Sequence, residues 1–169
     1  MPHTLQRHIV LVAPEIHWNT GNIGRTCLGA GACLHLIRPL GFSLESSQVK
    51  RAGLDYWDQV RLSVWEDFAD FESAMAPAAD ELAVFTKSGR RALWELPQTA
   101  PRLFLVFGAE TAGLPHELMA RFNPAQTYYI PISGRIRSLN LSTAAGIALY
   151  ESLRTGPDFH AWPGSLSNF

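Results

Sequence analysis

Short apolar runs rich in β-branched and aromatic residues alternate with helix-like stretches from one end of this 169-residue chain to the other. The clearest are His8-Ile9-Val10-Leu11-Val12-Ala13, stopped by Pro14, Leu34-His35-Leu36-Ile37, closed by Pro39 and Gly41, and Leu103-Phe104-Leu105-Val106-Phe107, which runs into Gly108. Such runs are too short for buried helices and apolar on successive residues, the pattern of strands covered on both faces. Weaker strands are expected at residues 60–65, 82–86 and 127–130. Helices are expected at 20–30, 47–53, 67–75, 115–122 and 141–153, with a turn at 88–91 and a short helix around 93–96. Strands separated regularly by helices restrict the chain to a single α/β domain over residues 1–169, a mostly parallel sheet of six strands with helices on both faces. Residues 155–169, with Pro157 and Pro163, read as a loosely packed tail. Ligands in such sheets bind at the carboxyl ends of the strands.

No apolar run approaches the roughly 20 residues of a membrane-spanning helix, and Met1-Pro2-His3-Thr4-Leu5-Gln6-Arg7 lacks the apolar core of a signal peptide. No membrane association and a cytoplasmic location are therefore expected. Cys27 and Cys33, with no further cysteine or clustered histidine, read as two buried thiols, and no metal site is expected. The formal net charge of −1 argues against a strongly basic nucleic-acid binder, but the charge is unevenly placed. Residues 55–81 hold eight acids and one base, a net −7, which leaves 13 bases and 7 acids elsewhere, a net +6. Twelve of the 14 bases are Arg, whose planar fork suits phosphate and can stack on bases. A solvated acidic helix face in an ordinary protein explains the same asymmetry.

Chemistry-bearing residues collect in three loops after predicted strands. The first, Asn19-Thr20-Gly21-Asn22-Ile23-Gly24-Arg25, invites a dinucleotide-binding reading because Gly-rich strand-to-helix turns aim backbone N–H groups at phosphate. Its glycines are three apart rather than spaced G-x-G-x-x-G, and Arg38 and Pro39 follow the second strand where a ribose-binding carboxylate would stand. What remains is a polar turn that points Arg25 outward from the first turn of a helix, or an Arg that merely snorkels there. The second loop, Gly108-Ala109-Glu110-Thr111-Ala112-Gly113-Leu114-Pro115, puts a carboxylate at the end of the most strand-like segment. The third, residues 130–142, combines Arg135 and Arg137 with Ser138, Asn140 and Ser142; these three are helix caps, or an anion and hydroxyl site.

In this order, Asn-x-Gly-Asn-Ile-x-Arg (19–25), Phe-Gly-x-Glu-x-x-Gly-Leu-Pro (107–115) and Ile-Pro followed by Ser-Leu-Asn-Leu-Ser (130–142) resemble the three signature motifs of the SPOUT methyltransferases. Within that class the chain is most similar to the TrmL group of tRNA wobble 2′-O-methyltransferases, and Arg51-Ala52-Gly53-Leu54-Asp55-Tyr56 shares the likeness, which spans residues 8–154. Ala109 stands where proline is usual, Ala112 where relatives often carry Arg, and Ser133-Gly134-Arg135-Ile136 replaces a Val-Pro-Asp-Ser-like run.

The resemblance implies a C-terminal deep trefoil knot, an S-adenosylmethionine cofactor bound by the knot loops, and a homodimer whose active sites are completed near the subunit interface. It implies a cofactor pocket made of Val84, Phe85, Thr86, Gly108, Glu110, Ile130, Ile132, Ser138 and Leu139. Methyl transfer to the ribose of the wobble nucleotide, in tRNA-Leu isoacceptors, would be carried by Arg25 with Ser138 and Asn140. Contacts to the anticodon stem-loop are expected from Asn19, Lys50, Arg51, Arg90, Arg91, Arg135 and Arg137, with Tyr56 or Trp57 stacking on a base. The helix from Leu141, rich in small residues, reads as a close-packing surface within the knot or across the dimer. Competing readings are a 2′-O-methyltransferase of another tRNA or rRNA position and a non-catalytic RNA-binding dimer of the same fold.

Overall fold

The computed structural model describes residues 5–45 and 56–155. Its elements in chain order are β1 (Gln6–Val12), α1 (His17–Ala30), β2 (Cys33–Ile37), β3 (Leu62–Trp65), α2 (Phe68–Met75), β4 (Leu82–Phe85), β5 (Arg91–Ala92), β6 (Arg102–Phe107), α3 (His116–Met119), β7 (Thr127–Tyr129) and α4 (Leu141–Leu153). They form one sheet of order β3-β2-β1-β6-β4-β7-β5, and every pairing in it is parallel. Among the described residues no helix is long and apolar enough to cross a membrane. The helix expected at 47–53 and the tail beyond residue 155 lie outside the described residues.

Alternation along the strands divides the core in two. Ile9 and Leu11 of β1, Leu103, Leu105 and Phe107 of β6, and Ala83 and Phe85 of β4 pack on one face with Ile23 and Cys27 of α1 and Ala145, Ala148 and Leu149 of α4. Val10, Val12, Phe104, Val106, Leu82 and Val84 point the other way, onto Phe68 and Phe71 of α2 and Leu118 of α3. Both faces are apolar because both are covered, which is why these strands read as continuous runs.

Three departures from the sequence reading have local causes. The sheet has seven strands, not six: β5 is two residues long, pairs only with β7, and is too short to leave a periodic signal. The helix expected over 115–122 contracts to the four residues of α3, and Phe122 beyond it packs edge-on against Phe68 at 5.8 Å. The first helix starts at His17, so Asn19, Thr20 and Gly21 lie inside it and Arg25 is no longer in its first turn. No local signal marked that start, since Ile16 offers no capping side chain and the first turn has no acid. By contrast, Asp67 caps α2 by accepting from Asp70 N at 2.8 Å, and Asn140 caps α4 by accepting from Ser142 N at 2.9 Å; both starts were legible.

β7 lies between β4 and β5, although it follows both in sequence. Phe85 of β4 and Arg91 of β5 both stand level with Tyr128, so residues 86–90 must cross a face of β7 to join them. The crossing is tight: a Cβ on Gly89 would sit 2.2 Å from the carbonyl carbon of Tyr128. A later strand passing beneath an earlier loop is consistent with the expected trefoil knot, an exception to the rule that chains avoid threading. α4 then packs beside α1: a Cβ on Gly146 would lie 3.8 Å from Thr26 Cγ2, and one on Gly29 would lie 3.8 Å from the Tyr150 hydroxyl. The small residues of α4 thus serve contact within the chain. Arg7, 2% exposed, fastens the far end of α4 by donating to the carbonyls of Ser152, Gln98 and Ala100.

Candidate active site

The carboxyl ends of β4, β6 and β7 open into a cleft of about 890 Å³, within the range of small-molecule sites. All three motif loops reach it. Phe85, Thr86, Gly108, Glu110, Ile130 and Ile132 line it, as do Ser138, Leu139 and Asn140. Val84 does not: strand alternation turns its side chain to the opposite face, where it is fully buried against the α2 layer.

The loops are tied together by one chain of hydrogen bonds. Asn140 Oδ1 accepts from Ser142 N, from Thr143 N at 3.4 Å and from Ser142 Oγ at 2.6 Å. That orientation leaves its amide nitrogen to donate to Asn19 Oδ1 at 3.0 Å, and Asn19 Nδ2 in turn donates to Glu110 Oε1 at 3.2 Å. The Glu110 carboxylate then accepts from Glu15 N at 2.7 Å and Ile16 N at 3.1 Å. These amides stand at the start of α1, so the cap missing from the local sequence is supplied by a residue more than 90 positions away. Glu15 replies by accepting from Thr111 N at 3.0 Å and Thr111 Oγ1 at 2.7 Å. Donors and acceptors match along the whole chain, so the two amide orientations follow from the network itself.

This arrangement reassigns several expected roles. Asn19, 2% exposed, lines the cleft and joins Glu110 to Asn140 through both ends of its side-chain amide. Asn140 and Glu110 shape the cleft with side chains already engaged by protein, whereas the exposed Ser138 has no such partner among the described residues. Gly108 is required by packing, because a Cβ there would meet the Gly113 carbonyl carbon at 2.1 Å. Ala109 and Gly113 close the loop with paired backbone bonds of 3.1 and 2.9 Å. The sequence reading missed Glu15 and also Lys87, which lines the cleft; the first carries no local signal, but Lys87 directly follows the predicted strand end at Thr86.

Arg25 is exposed on α1 and does not line the cleft. Tyr56 lies beneath its guanidinium, 5.5 Å from the ring centre, and Trp57 packs on Gly24. Arg91 is likewise engaged, by the Tyr128 hydroxyl at 2.8 Å and by Glu95 at 3.5 Å. Lys50 and Arg51 lie outside the described residues.

The charge asymmetry acquires a spatial meaning. Three acids of the 55–81 stretch neutralise arginines away from the cleft: Glu66 pairs with Arg38, Glu72 with Arg121 and Glu81 with Arg102. Lys87, Arg90, Arg135 and Arg137 have no ion pair among the described residues. Lys87 and Arg137 line the cleft, and Arg90 and Arg135 belong to the same two loops. Both cysteines are free; Cys27 is buried, which pushes its thiol up to about 12, while Cys33 is partly exposed rather than buried. Among the described residues no group of His, Cys, Asp and Glu is arranged to hold a metal ion.

The residues present fit S-adenosylmethionine. Ile130, Leu139 and Leu114 offer apolar wall for a purine, Thr86 and Ser138 offer hydroxyls, and the cleft has the volume for a nucleoside-sized guest.

The SpoU rRNA methylase family matches this chain over residues 6–150. A Listeria innocua protein named as a candidate tRNA (cytidine(34)-2′-O)-methyltransferase is 47% identical over 152 residues, which cover 89% of this chain and 88% of that protein. A solved structure described as giving insight into 2-OH methylation of C/U34 on tRNA is 45% identical, with a TM-score of 0.78, over 89% of this chain and 95% of that one. An AdoMet-bound rRNA methyltransferase of Sinorhizobium meliloti has a TM-score of 0.79 at 27% identity, over 90% of this chain and 57% of that one. With its three motif loops gathered on one cleft and a family match over most of its length, the chain belongs to the SpoU methylase family of SPOUT methyltransferases.

Proposed function

We propose that the protein transfers a methyl group from S-adenosylmethionine to the ribose 2′-hydroxyl of the wobble nucleotide of tRNA, a cytidine or modified uridine at position 34, in leucine isoacceptors, and that it works as a homodimer. The observation that carries this reading is the convergence of the three motif loops on one cleft rimmed by cations that have no acidic partner among the described residues. Identity favours the wobble position over ribosomal RNA: the Listeria protein named for position 34 and the structure described for C/U34 share 47% and 45% of residues, against 27% for the rRNA enzyme.

Bound S-adenosylmethionine supplies an electrophilic methyl group, and in-line transfer then depends on holding the attacking hydroxyl in register with it. Ile130, Ile132 and Leu139 shape the apolar wall, Thr86 and Ser138 give the polar contacts, and the Asn140–Asn19–Glu110 chain keeps these loops at fixed spacing. Lys87, Arg90, Arg135 and Arg137 anchor the RNA backbone. A guanidinium is a poor general base, and Arg25 serves instead to anchor the adjacent phosphate and stabilise the developing alkoxide; the hydroxyl proton passes to water as the thioether product leaves. Arg25 lies outside its own cleft, on an outward stripe of α1 shared with Trp18 and Asn22. Joining two copies through that stripe and through Ile147 and Tyr150 of α4, which are also exposed, would bring this guanidinium to a cleft at the interface.

Incubation with methyl-labelled S-adenosylmethionine and unmodified tRNA-Leu, followed by mapping of the labelled nucleotide, tests the reading. Label on the ribose of nucleotide 34 is expected. Label on a base, on another ribose or on ribosomal RNA alone overturns the substrate assignment, and tRNA binding without transfer would leave a binding module. Arg25→Lys is expected to lose most activity with cofactor affinity intact; a collapse of cofactor binding would make Arg25 structural.

A further inference from the structure

Gly21 and Gly24 look in sequence like parts of a phosphate-binding turn, but inside α1 what they face is a pair of consecutive aromatic residues. Trp57 lies so close to Gly24 that a Cβ there would meet its indole at 2.5 Å. Tyr56 brings its hydroxyl to within 3.5 Å of the Gly21 carbonyl, and its ring centre lies 5.5 Å from the guanidinium carbon of Arg25. Two neighbouring side chains therefore grip one stretch of α1 at three points, and the last of these is the motif arginine itself. Arg25 has no ion pair among the described residues, and its guanidinium stands over the Tyr56 ring.

We infer that Tyr56 is a positioning residue, whose ring holds the Arg25 guanidinium so that its N–H donors are presented to the RNA. The inference rests on the methyl-transfer reading above. The chemistry of the two groups favours it. The five N–H donors of a guanidinium lie in its plane, so a ring against one face leaves the whole hydrogen-bonding fork available. Unrestrained arginine populates many rotamers, and holding the fork in place before substrate arrives removes that ordering cost from the transition state. Gly24 belongs to the device, because any side chain there would push Trp57, and Tyr56 beside it, off the helix.

Steady-state kinetics with labelled S-adenosylmethionine and tRNA, on the full-length protein and on Tyr56→Phe, Tyr56→Leu, Arg25→Ala and the Tyr56→Leu/Arg25→Ala pair, test the inference. Tyr56→Phe keeps the ring and removes the hydroxyl, whose contact with the Gly21 carbonyl is long at 3.5 Å, so kcat within about twofold of the parent is expected. Tyr56→Leu is expected to lower kcat about tenfold, the scale of a partly desolvated cation–π contact, with KM for tRNA and Kd for the cofactor unchanged. In the Arg25→Ala background Tyr56→Leu should cost nothing further. A raised KM for tRNA at unchanged kcat would make Tyr56 a base-stacking residue and overturn the inference, as would fully additive losses. A readout independent of turnover separates this from failure of the activity itself: the Arg25 Nε–H proton should show a ring-current shift by NMR that Tyr56→Phe keeps and Tyr56→Leu abolishes. Absence of that shift in the parent protein overturns the inference whatever the enzyme does, whereas absence of methyl transfer with the shift present overturns only the activity reading.

Discussion

Glu110 shows how one side chain gains meaning from its surroundings. In sequence it is a lone carboxylate at a strand end, and the resemblance placed it beside the cofactor. In the fold its oxygens are occupied by Glu15 N, Ile16 N and Asn19 Nδ2, so its chief work is to cap α1 and fix the cleft wall. Glu110→Gln puts an N–H₂ against one of these donors. A loss of about 1–3 kcal/mol is expected, read by urea denaturation, together with weaker S-adenosylmethionine binding by calorimetry; unchanged stability would show that the three contacts are dispensable. Asn140 was legible as a helix cap because capping is a local rule. Its second bond, to Asn19, was not, because nothing within several residues of either reveals that they meet.

At the scale of elements, the long strands were legible because burial on both faces leaves dense apolar runs, and α2 and α4 because each carries its own cap. β5 and the true start of α1 were not, since the first exists only through an edge offered by β7 and the second through a carboxylate from another loop. Gly89 marks the tightest of these long-range constraints. With its Cβ position 2.2 Å from Tyr128 backbone, neither segment can yield without breaking the pairing of β7 with β4 or β5. Gly89→Ala is expected to cost at least about 2 kcal/mol, beyond an ordinary surface substitution, and thermal unfolding would show it. A midpoint equal to the parent's would mean that the crossing loop is looser than its geometry indicates.

For the whole molecule, a buried histidine pair links stability to pH. Trp65 Nε1 donates to His35 Nδ1 at 3.0 Å, so His35 Nε2 carries the proton it gives to His8 Nδ1 at 2.9 Å, and both rings are neutral. Burial first, and then nearby positive charge, lowers His8 to about 4, while burial and its partner lower His35 to about 3. Unfolded histidines titrate near 6.5, so below that pH the unfolded chain binds more protons and stability falls as pH drops toward 4. Relative to pH 7, each histidine is expected to withdraw about 2 kcal/mol by pH 5, seen as a lower urea midpoint. His8→Phe should remove one of the two titrations and flatten the slope; a slope unchanged by it would assign the acid loss elsewhere. The cations around the cleft that have no ion pair among the described residues lead to a second expectation, that tRNA affinity falls steeply with salt and that Arg135→Ser reduces the logarithmic slope by about 0.7–0.9. If two copies join through the outward face of α1 and α4, Trp18→Glu should yield a monomer by light scattering that no longer transfers methyl groups; a dimeric variant would place the interface on another face. The sequence by itself determined a covered parallel sheet, three polar loops at its strand ends and a family likeness, because apolar periodicity, capping and motif order are all written within a few residues. Only the tertiary structure decided which amides Glu110 satisfies, what Gly21 and Gly24 face and which acids the arginines outside the cleft pair with, because donors, rings and charges find partners in space that are tens of residues distant in the chain.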